Sequence, residues 1–458
     1  MFMGRAVELK KLDALYNSGK FECVVVHGRW RAGKTALLRE FIKDRKAIYF
    51  AAQETGNNEN LEYFKQNILA VCKGPDKSSL EIKDYNDAFE SVCELARSER
   101  IILVMDDFQF LVSSCKTISE LICAQIEQRL SESLLMLVIC GSSPMVMETE
   151  TLGYNSVFHG KRTAQLKLRP FTFFETKRHF DRFTPFDIAV IYGITSGVPK
   201  YLKMMDPEVP LRENIQRAFF DNDSFILEEP ANILRREVRD PVHYNAVLRA
   251  IASGCSKNSE ISAAVRLETG ACTAYLKNLI AMGLVGKYTP LTEKAGKKTI
   301  YEIKDSMFRF WYRFVPDSMS LIKSGAADRA WRGVAQGIPS FMSKVFEEIC
   351  REWLTQQNQA GRLPVNCIEV GRWWGFDPVW KNDTQIPIVA YTDDDNAVFC
   401  DCVWSDEPAG SDKIISLMER SRLFRCSERY LYLFSRSGFS DDCVEAAGRI
   451  GANLVSFE

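Results

Sequence analysis

The chain has 458 residues and a formal net charge of -1, from 59 Lys+Arg against 60 Asp+Glu. That length suits about three domains, and 46% hydrophobic with 26% charged residues excludes a disordered or fibrous protein. The longest apolar run, Leu134 to Cys140, is far short of the roughly 18 residues of a membrane span, and the charged opening MFMGRAVELKK does not read as a signal peptide.

In chain order, five apolar runs come first: ECVVVHG (22–28), AIYFAAQ (47–53), RIILVMDDF (100–108), LLMLVICGS (134–142) and AQLKLRPF (164–171). Each has the length of a buried strand, and the segments between them can hold helices, so a parallel sheet with crossover helices is predicted. From about Phe174 the pattern turns helical, punctuated by Gly193, Gly197 and Pro199. Residues 243–313 read as three short helices and two strands around a Gly/Lys turn. An aromatic cluster, FRFWYRF, follows, then a stretch with Pro316, Gly325, Gly333 and Pro339. The last 120 or so residues again mix helix and strand. The 14 cysteines are scattered, several of them inside apolar runs, and there is no CxxC. Reduced, buried thiols in a cytoplasmic protein are expected, with neither a disulfide scaffold nor a zinc site.

The sharpest motif is GRWRAGKT, Gly28 to Thr35, between an apolar strand and the helix-forming ALLREFI. It satisfies GxxxxGK[ST] in the strand–loop–helix context that a phosphate loop requires. Glycine is needed at Gly28 and Gly33 because the loop wraps phosphate oxygens with inward-pointing N–H groups. Arg31 and Ala36 belong to the same cradle. Helix onset at Lys34 adds a positive dipole end. Lys34 is expected on the β- and γ-phosphates of ATP or ADP, and the Thr35 hydroxyl on Mg²⁺.

The second requirement is a strand ending in an acid. RIILVMDDF supplies Asp106, expected to hold Mg²⁺ through water, and Asp107, placed to orient the attacking water. Many such ATPases carry glutamate at the second position. Aspartate reaches about 1.5 Å less far, and misplacement on that scale can cost about 100-fold. Slow hydrolysis is therefore expected. The LLMLVICGSS run ends in Ser142 and Ser143, and a polar residue there, Ser142 above all, could contact the γ-phosphate or the water.

These motifs together resemble the archaeal-type ATPases of the signal-transducing STAND branch of the AAA+ class, fused to a C-terminal domain of long-unassigned function. FMGRAVELKKL (2–12) is similar to the family's F-x-G-R-x-x-E-L box, which lies against the adenine in relatives and implicates Arg5. GRWRAGKTALL, DDFQFL and GKRTAQLKLRPFTFFE (160–175) follow in family order. The last implies Arg162 as a nucleotide-sensing arginine, although Lys161 interrupts the usual Gly-Arg pair. SGVPKYL (196–202) resembles the glycine–x–proline motif near base and sugar, which implicates Pro199.

Residues 243–313 look like a winged helix-turn-helix, and residues 231–313 carry 14 Lys/Arg against 7 Asp/Glu. Lys294, Lys297 and Lys298 cluster at the expected wing tip, where phosphate contact with DNA is easy. A lid over the nucleotide is the competing role for this module.

The C-terminal part, with SKVFEEICREWL, CIEVGRWWG, QIPIVAYTDD and AVFCDCVWSDE, resembles a restriction-endonuclease fold of the PD-(D/E)xK type. Relatives hold Mg²⁺ with an Asp and a Glu and use a Lys at the attacking water. Here Pro387 replaces the metal Asp, Gln385 its neighbouring Glu and Val403 the Lys, leaving Glu347 and Asp401. Residues 340–458 also carry 12 Lys/Arg against 19 Asp/Glu, a field that repels DNA. No nuclease activity is expected from this domain; a scaffold or protein-binding role is.

The fold expected is α/β: a P-loop parallel sheet (1–172) with a helical lid (173–240), a winged helix (241–315), a linker (316–339) and a restriction-endonuclease-like domain (340–458). The function expected is that of a regulatory ATPase whose nucleotide state controls the later domains. The alternative is a nucleotide-gated DNA-binding protein acting through residues 241–313.

Overall fold

The structure is a computed structural model that describes residues 3–72, 81–291, 298–392 and 394–457. Phe2, Lys294 and Lys297 lie outside the described residues. Contacts divide the chain into two compact units, residues 1–170 with 198–200, and residues 171–197 with 201–458.

In the first unit each apolar run forms a strand: β1 (Glu22–His27), β2 (Ala47–Ala51), β3 (Ile101–Asp106), β4 (Leu135–Gly141) and β5 (Ala164–Lys167). They pair in parallel in the order β2-β3-β4-β1-β5. Every residue of β3 and β4 is buried, which is why these strands read as continuous apolar runs without alternation. Alternate side chains feed two cores. Val25, Leu103 and Ile139 face the helices Asn57–Val71, Tyr85–Leu95 and Ile118–Gln128, while Val24, Val26, Val104 and Val138 face Ala6–Tyr16 and Lys34–Ile42. Each such fully buried side chain contributes about 1.5–3 kcal/mol. Because β4 lies between β1 and β3, the C-terminal ends of these three strands come out side by side. Ligands bind at such strand ends in open α/β sheets.

In the second unit, helices Phe173–Lys177, Pro185–Thr195, Leu211–Phe219 and Phe225–Glu237 are followed by Pro241–Ala252, Asn258–Val265 and Thr269–Ala281. The antiparallel pair β6 (Val285–Tyr288) and β7 (Ile300–Ile303) comes next. The stretch 316–339, expected as a linker, is largely helical: it runs through Ser306–Lys323 and the 33-residue helix Ala327–Gln359, with Pro316 and Pro339 inside the helices. The aromatic cluster FRFWYRF is core, since Phe310 packs on Phe219 and Phe341 with ring centroids 4.7 and 5.3 Å apart.

The last sheet has the order β12-β11-β10-β9-β8, from β8 (Cys367–Asp377), β9 (Asn382–Thr392), β10 (Ala397–Val403), β11 (Arg429–Ser435) and β12 (Asn453–Ser456). β8, β9 and β10 are antiparallel neighbours, and β10, β11 and β12 are parallel. The loop after β6 reaches this sheet, where the Leu291 N–H donates to the Arg372 carbonyl on β8 at 3.0 Å. Arg372 lies between the rings of Tyr288 and Trp374, at 4.7 and 4.9 Å from their centroids, and donates to Glu302 of β7 at 2.7 Å. The hairpin and the sheet are therefore held together by a desolvated cation as well as by backbone pairing. Among the described residues, no helix is long and apolar enough to cross a membrane.

Candidate functional site

The loop Gly28–Thr35 leaves β1 and enters the helix Lys34–Ile42. Glycine is required at Gly28 by close approach, because a Cβ there would sit 2.2 Å from the Leu168 carbonyl oxygen. At Gly33 it is required by conformation, with φ at 91°, and Arg31 adopts the same left-handed region at 64°. Pro199 rests on this turn, its Cγ 3.7 Å from where a Gly33 Cβ would lie. The Lys34 ammonium is folded into the loop and donates to the Gly28 and Arg29 carbonyls at 2.9 and 3.1 Å. Thr35 and Ala36 are exposed on the first turn of the helix, whose N-terminus has no side-chain cap. Backbone N–H groups at the positive dipole end of a helix suit an anion.

Opposite the loop stands the end of β3. Asp106 is buried, and its Oδ2 accepts from Thr35 Oγ1 at 2.8 Å and from the Tyr49 hydroxyl. Its Oδ1 accepts from the Asp107 N–H at 2.9 Å. Asp107 has left-handed backbone, φ 52° and ψ 43°, where the chain turns into the helix Phe108–Ser114. Its Oδ1 accepts from Gln109 Nε2 at 3.0 Å, and Gln109 Oε1 in turn accepts from the buried Ser142 N–H at 3.1 Å. Thr35 Oγ1 and Asp106 Oδ2 are hard oxygen donors in direct contact, a pairing that fits Mg²⁺.

Residues 2–205 match a family described as an ATPase domain predominantly from Archaea, and residues 311–415 match one described as archaeal and bacterial proteins of unknown function. An uncharacterized protein of Methanocaldococcus jannaschii is 29% identical over 408 residues, covering 89% of this chain and 88% of that one. An uncharacterized ATP-binding protein of the same archaeon is 37% identical over 46 residues, 10% of this chain and 78% of its own length. The solved Walker-type ATPase of Pyrococcus abyssi aligns at a TM-score of 0.52 with 19% identity, covering 68% of this chain and 96% of that one. The N-terminal unit has the fold of a P-loop ATPase.

Within this unit, Arg5 is buried and has a left-handed φ of 65°. Its Nη1 donates to Glu8 Oε1 at 3.1 Å, and its Nη2 donates to the Ala32 carbonyl at 3.0 Å and the Arg169 carbonyl at 2.6 Å. The guanidinium thus ties the phosphate loop to the segment after β5. Arg162 donates to the Thr151 carbonyl. Gly28, Gly33, Lys34, Thr35, Asp106, Asp107, Ser142, Pro199 and Arg5 are joined through the contacts above; Arg162 hydrogen-bonds elsewhere. Sequence reasoning missed Tyr49 and Gln109. The only signal for Gln109 was its place two residues after Asp107, in DDFQFL.

His27, at the end of β1, reports the local field. Burial, then Lys167, Lys34 and Arg162, push its pKa down to about 4. Positive charge gathered at this strand end is what a polyphosphate requires. The folded value lies below the unfolded value of about 6.5, so the neutral imidazole's contribution is intact above pH 6.5 and is lost as pH falls toward 4. Between about pH 7.5 and pH 5, His27→Gln is expected to lose less Tm than the wild type, by roughly 2–5 °C. Equal losses in scanning calorimetry would refute this.

In the C-terminal sheet, Phe399, Asp401 and Val403 share one face of β10, against the helix Ser411–Ser421. Asp401 Oδ2 accepts from Arg420 Nη2 of that helix at 2.5 Å, and Arg420 Nη1 donates to the Gln385 carbonyl. Glu347 pairs with Lys344 at 3.3 Å. Asp401 and Glu347 thus have separate cationic partners. Among the described residues no group of three or more His, Cys, Asp or Glu could hold a metal ion.

Proposed function

We propose that the protein is an ATP-binding regulatory ATPase that hydrolyses ATP slowly and uses nucleotide state to control residues 241–313 and the C-terminal domain. The observation that carries this is the 2.8 Å bond between Thr35 and Asp106, with Lys34 folded into the loop beside them. In this reading Gly28, Arg31, Gly33, Lys34 and Ala36 cradle the phosphates, and Pro199 and the box containing Arg5 border the base and sugar. Mg²⁺, held by Thr35 and through water by Asp106, would offset charge on the β- and γ-phosphate oxygens. Asp107 orients water for in-line attack on the γ-phosphorus, the bond to the β,γ-bridging oxygen breaks, and ADP leaves with the electron pair. Ser142 contacts the γ-phosphate or the water. Arg162 senses the γ-phosphate after leaving the Thr151 carbonyl. Phosphate release by the full-length protein, dependent on ATP and Mg²⁺, tests the reading; tight ADP binding with no turnover would leave a pure switch.

A second reading, nucleotide-gated DNA binding, is favoured by the three helices and hairpin at 241–303 and by the 14-to-7 basic excess over residues 231–313. Reversing Lys294, Lys297 and Lys298 to glutamate is expected to weaken duplex binding and to lower the salt slope by about 1–3. An unchanged slope would remove this reading. The same duplex incubated with Mg²⁺ is expected to remain uncut, since Arg420 neutralises Asp401 and Pro387 and Val403 supply neither ligand nor charge. Cleavage abolished by Asp401→Ala would overturn that expectation and with it the scaffold or partner-binding role proposed for residues 340–458.

A further inference from the structure

Gln109 belongs neither to the phosphate loop nor to the acidic pair, yet its amide joins the ends of two strands at the site. Nε2 donates to Asp107 Oδ1 at 3.0 Å, while Oε1 accepts from the Ser142 N–H at 3.1 Å. Only this orientation of the amide satisfies both neighbours. Turned over, it would set its oxygen against a carboxylate and its NH₂ against an N–H. The space around it is fitted as well. Gly141 ends β4 directly beneath the amide, and a Cβ there would come 3.2 Å from Gln109 Oε1 and 2.2 Å from Met147 Sδ.

We propose that Gln109 is a positioning residue that holds the Asp107 carboxylate and the end of β4 in one fixed geometry for the attack of water on the terminal phosphate. The inference rests on the ATPase reading above and deepens it. Asp107 is held at both ends: its N–H by Asp106 Oδ1 at 2.9 Å, and its carboxylate by Gln109. A left-handed, non-glycine residue costs about 1 kcal/mol or more, and its persistence requires that the surroundings over-determine it. Aspartate also reaches less far than glutamate, so a small rotation of χ1 or χ2 would move its oxygens off the water. An amide bonded to a backbone N–H on the neighbouring strand removes that freedom. It also makes Ser142, the residue placed to meet phosphate or water from β4, move together with Asp107.

Two variants separate positioning from mere support. Gln109→Glu keeps an acceptor for the Ser142 N–H but replaces the donor to Asp107 with a second carboxylate. Gln109→Met keeps the volume and removes both bonds. Full-length protein is assayed for steady-state ATP hydrolysis across pH, ADP affinity and Tm. We expect kcat to fall by about 30–100-fold in both variants, with ADP affinity within about threefold of the wild type. In Gln109→Glu the acid limb of kcat should also move to higher pH, because two adjacent carboxylates resist ionising together. An active wild type whose two variants keep kcat within about threefold would overturn the inference alone. So would a loss of kcat matched by equal losses of ADP affinity and Tm, which marks a structural staple. No turnover by the wild type itself would overturn the ATPase reading and this inference together.

Discussion

Lys34→Ala is expected to abolish Mg²⁺-dependent ATP hydrolysis, lowering kcat by at least about 100-fold and weakening ATP binding by at least about tenfold. The ammonium is buried inside the loop and already satisfied by two carbonyls, so it is pre-positioned at the centre of the cradle. Each charged donor aimed at a phosphate oxygen is worth more there than in water, because the local dielectric is low. Truncation leaves the loop glycines and the helix N-terminus intact, so residual nucleotide binding and an unchanged fold are expected. Phosphate release and isothermal titration with ATP measure the two effects. Turnover within about threefold of the wild type would show that Lys34 does not handle the transferred phosphate.

Asp107→Asn should act differently. We expect kcat to drop by about 100-fold with ATP affinity changed by less than about threefold, since in the proposed function the carboxylate would meet the water and not the ground-state phosphate. The substituted amide is nearly isosteric and keeps an oxygen for Gln109 Nε2, so the backbone turn at Asp107 is preserved. The distinction from Lys34→Ala lies in that split between kcat and affinity. An equal loss in both parameters would assign Asp107 to nucleotide binding and leave the water without an orienting residue.

The nature of this domain was legible because its signals are local. A strand buried on both faces must be a continuous apolar run, and β1, β3 and β4 are such runs. A loop wrapped around phosphate must place glycine where a Cβ collides or φ is positive, as at Gly28 and Gly33. The acid at the end of β3 follows from the same logic, since a polar residue appears where the buried strand emerges. The matching family over residues 2–205 agrees with that reading.

Other features depend on which strands become neighbours, and residue spacing does not carry that information. Gln109 reads as an ordinary helix residue until β4 is inserted between β1 and β3, bringing the Ser142 N–H against its amide. Tyr49 reads as a strand aromatic until β2 pairs with β3 and its hydroxyl reaches Asp106. Proline and glycine suggested a linker at 316–339, but the burial of Phe310 and Phe341 holds most of that stretch in two packed helices. Arg420 lies 19 residues from Asp401, and the crossover helix brings it back to bond that carboxylate.

The sequence alone determined the phosphate loop, its acid partner and the buried strands, because each is set by the conformation and burial of a few consecutive residues. Only the tertiary structure decided the strand order, the Gln109 bridge and the Arg420 pair. Those depend on contacts between residues far apart in the chain, where the free energy of packing the whole sheet, and no local propensity, selects the neighbour.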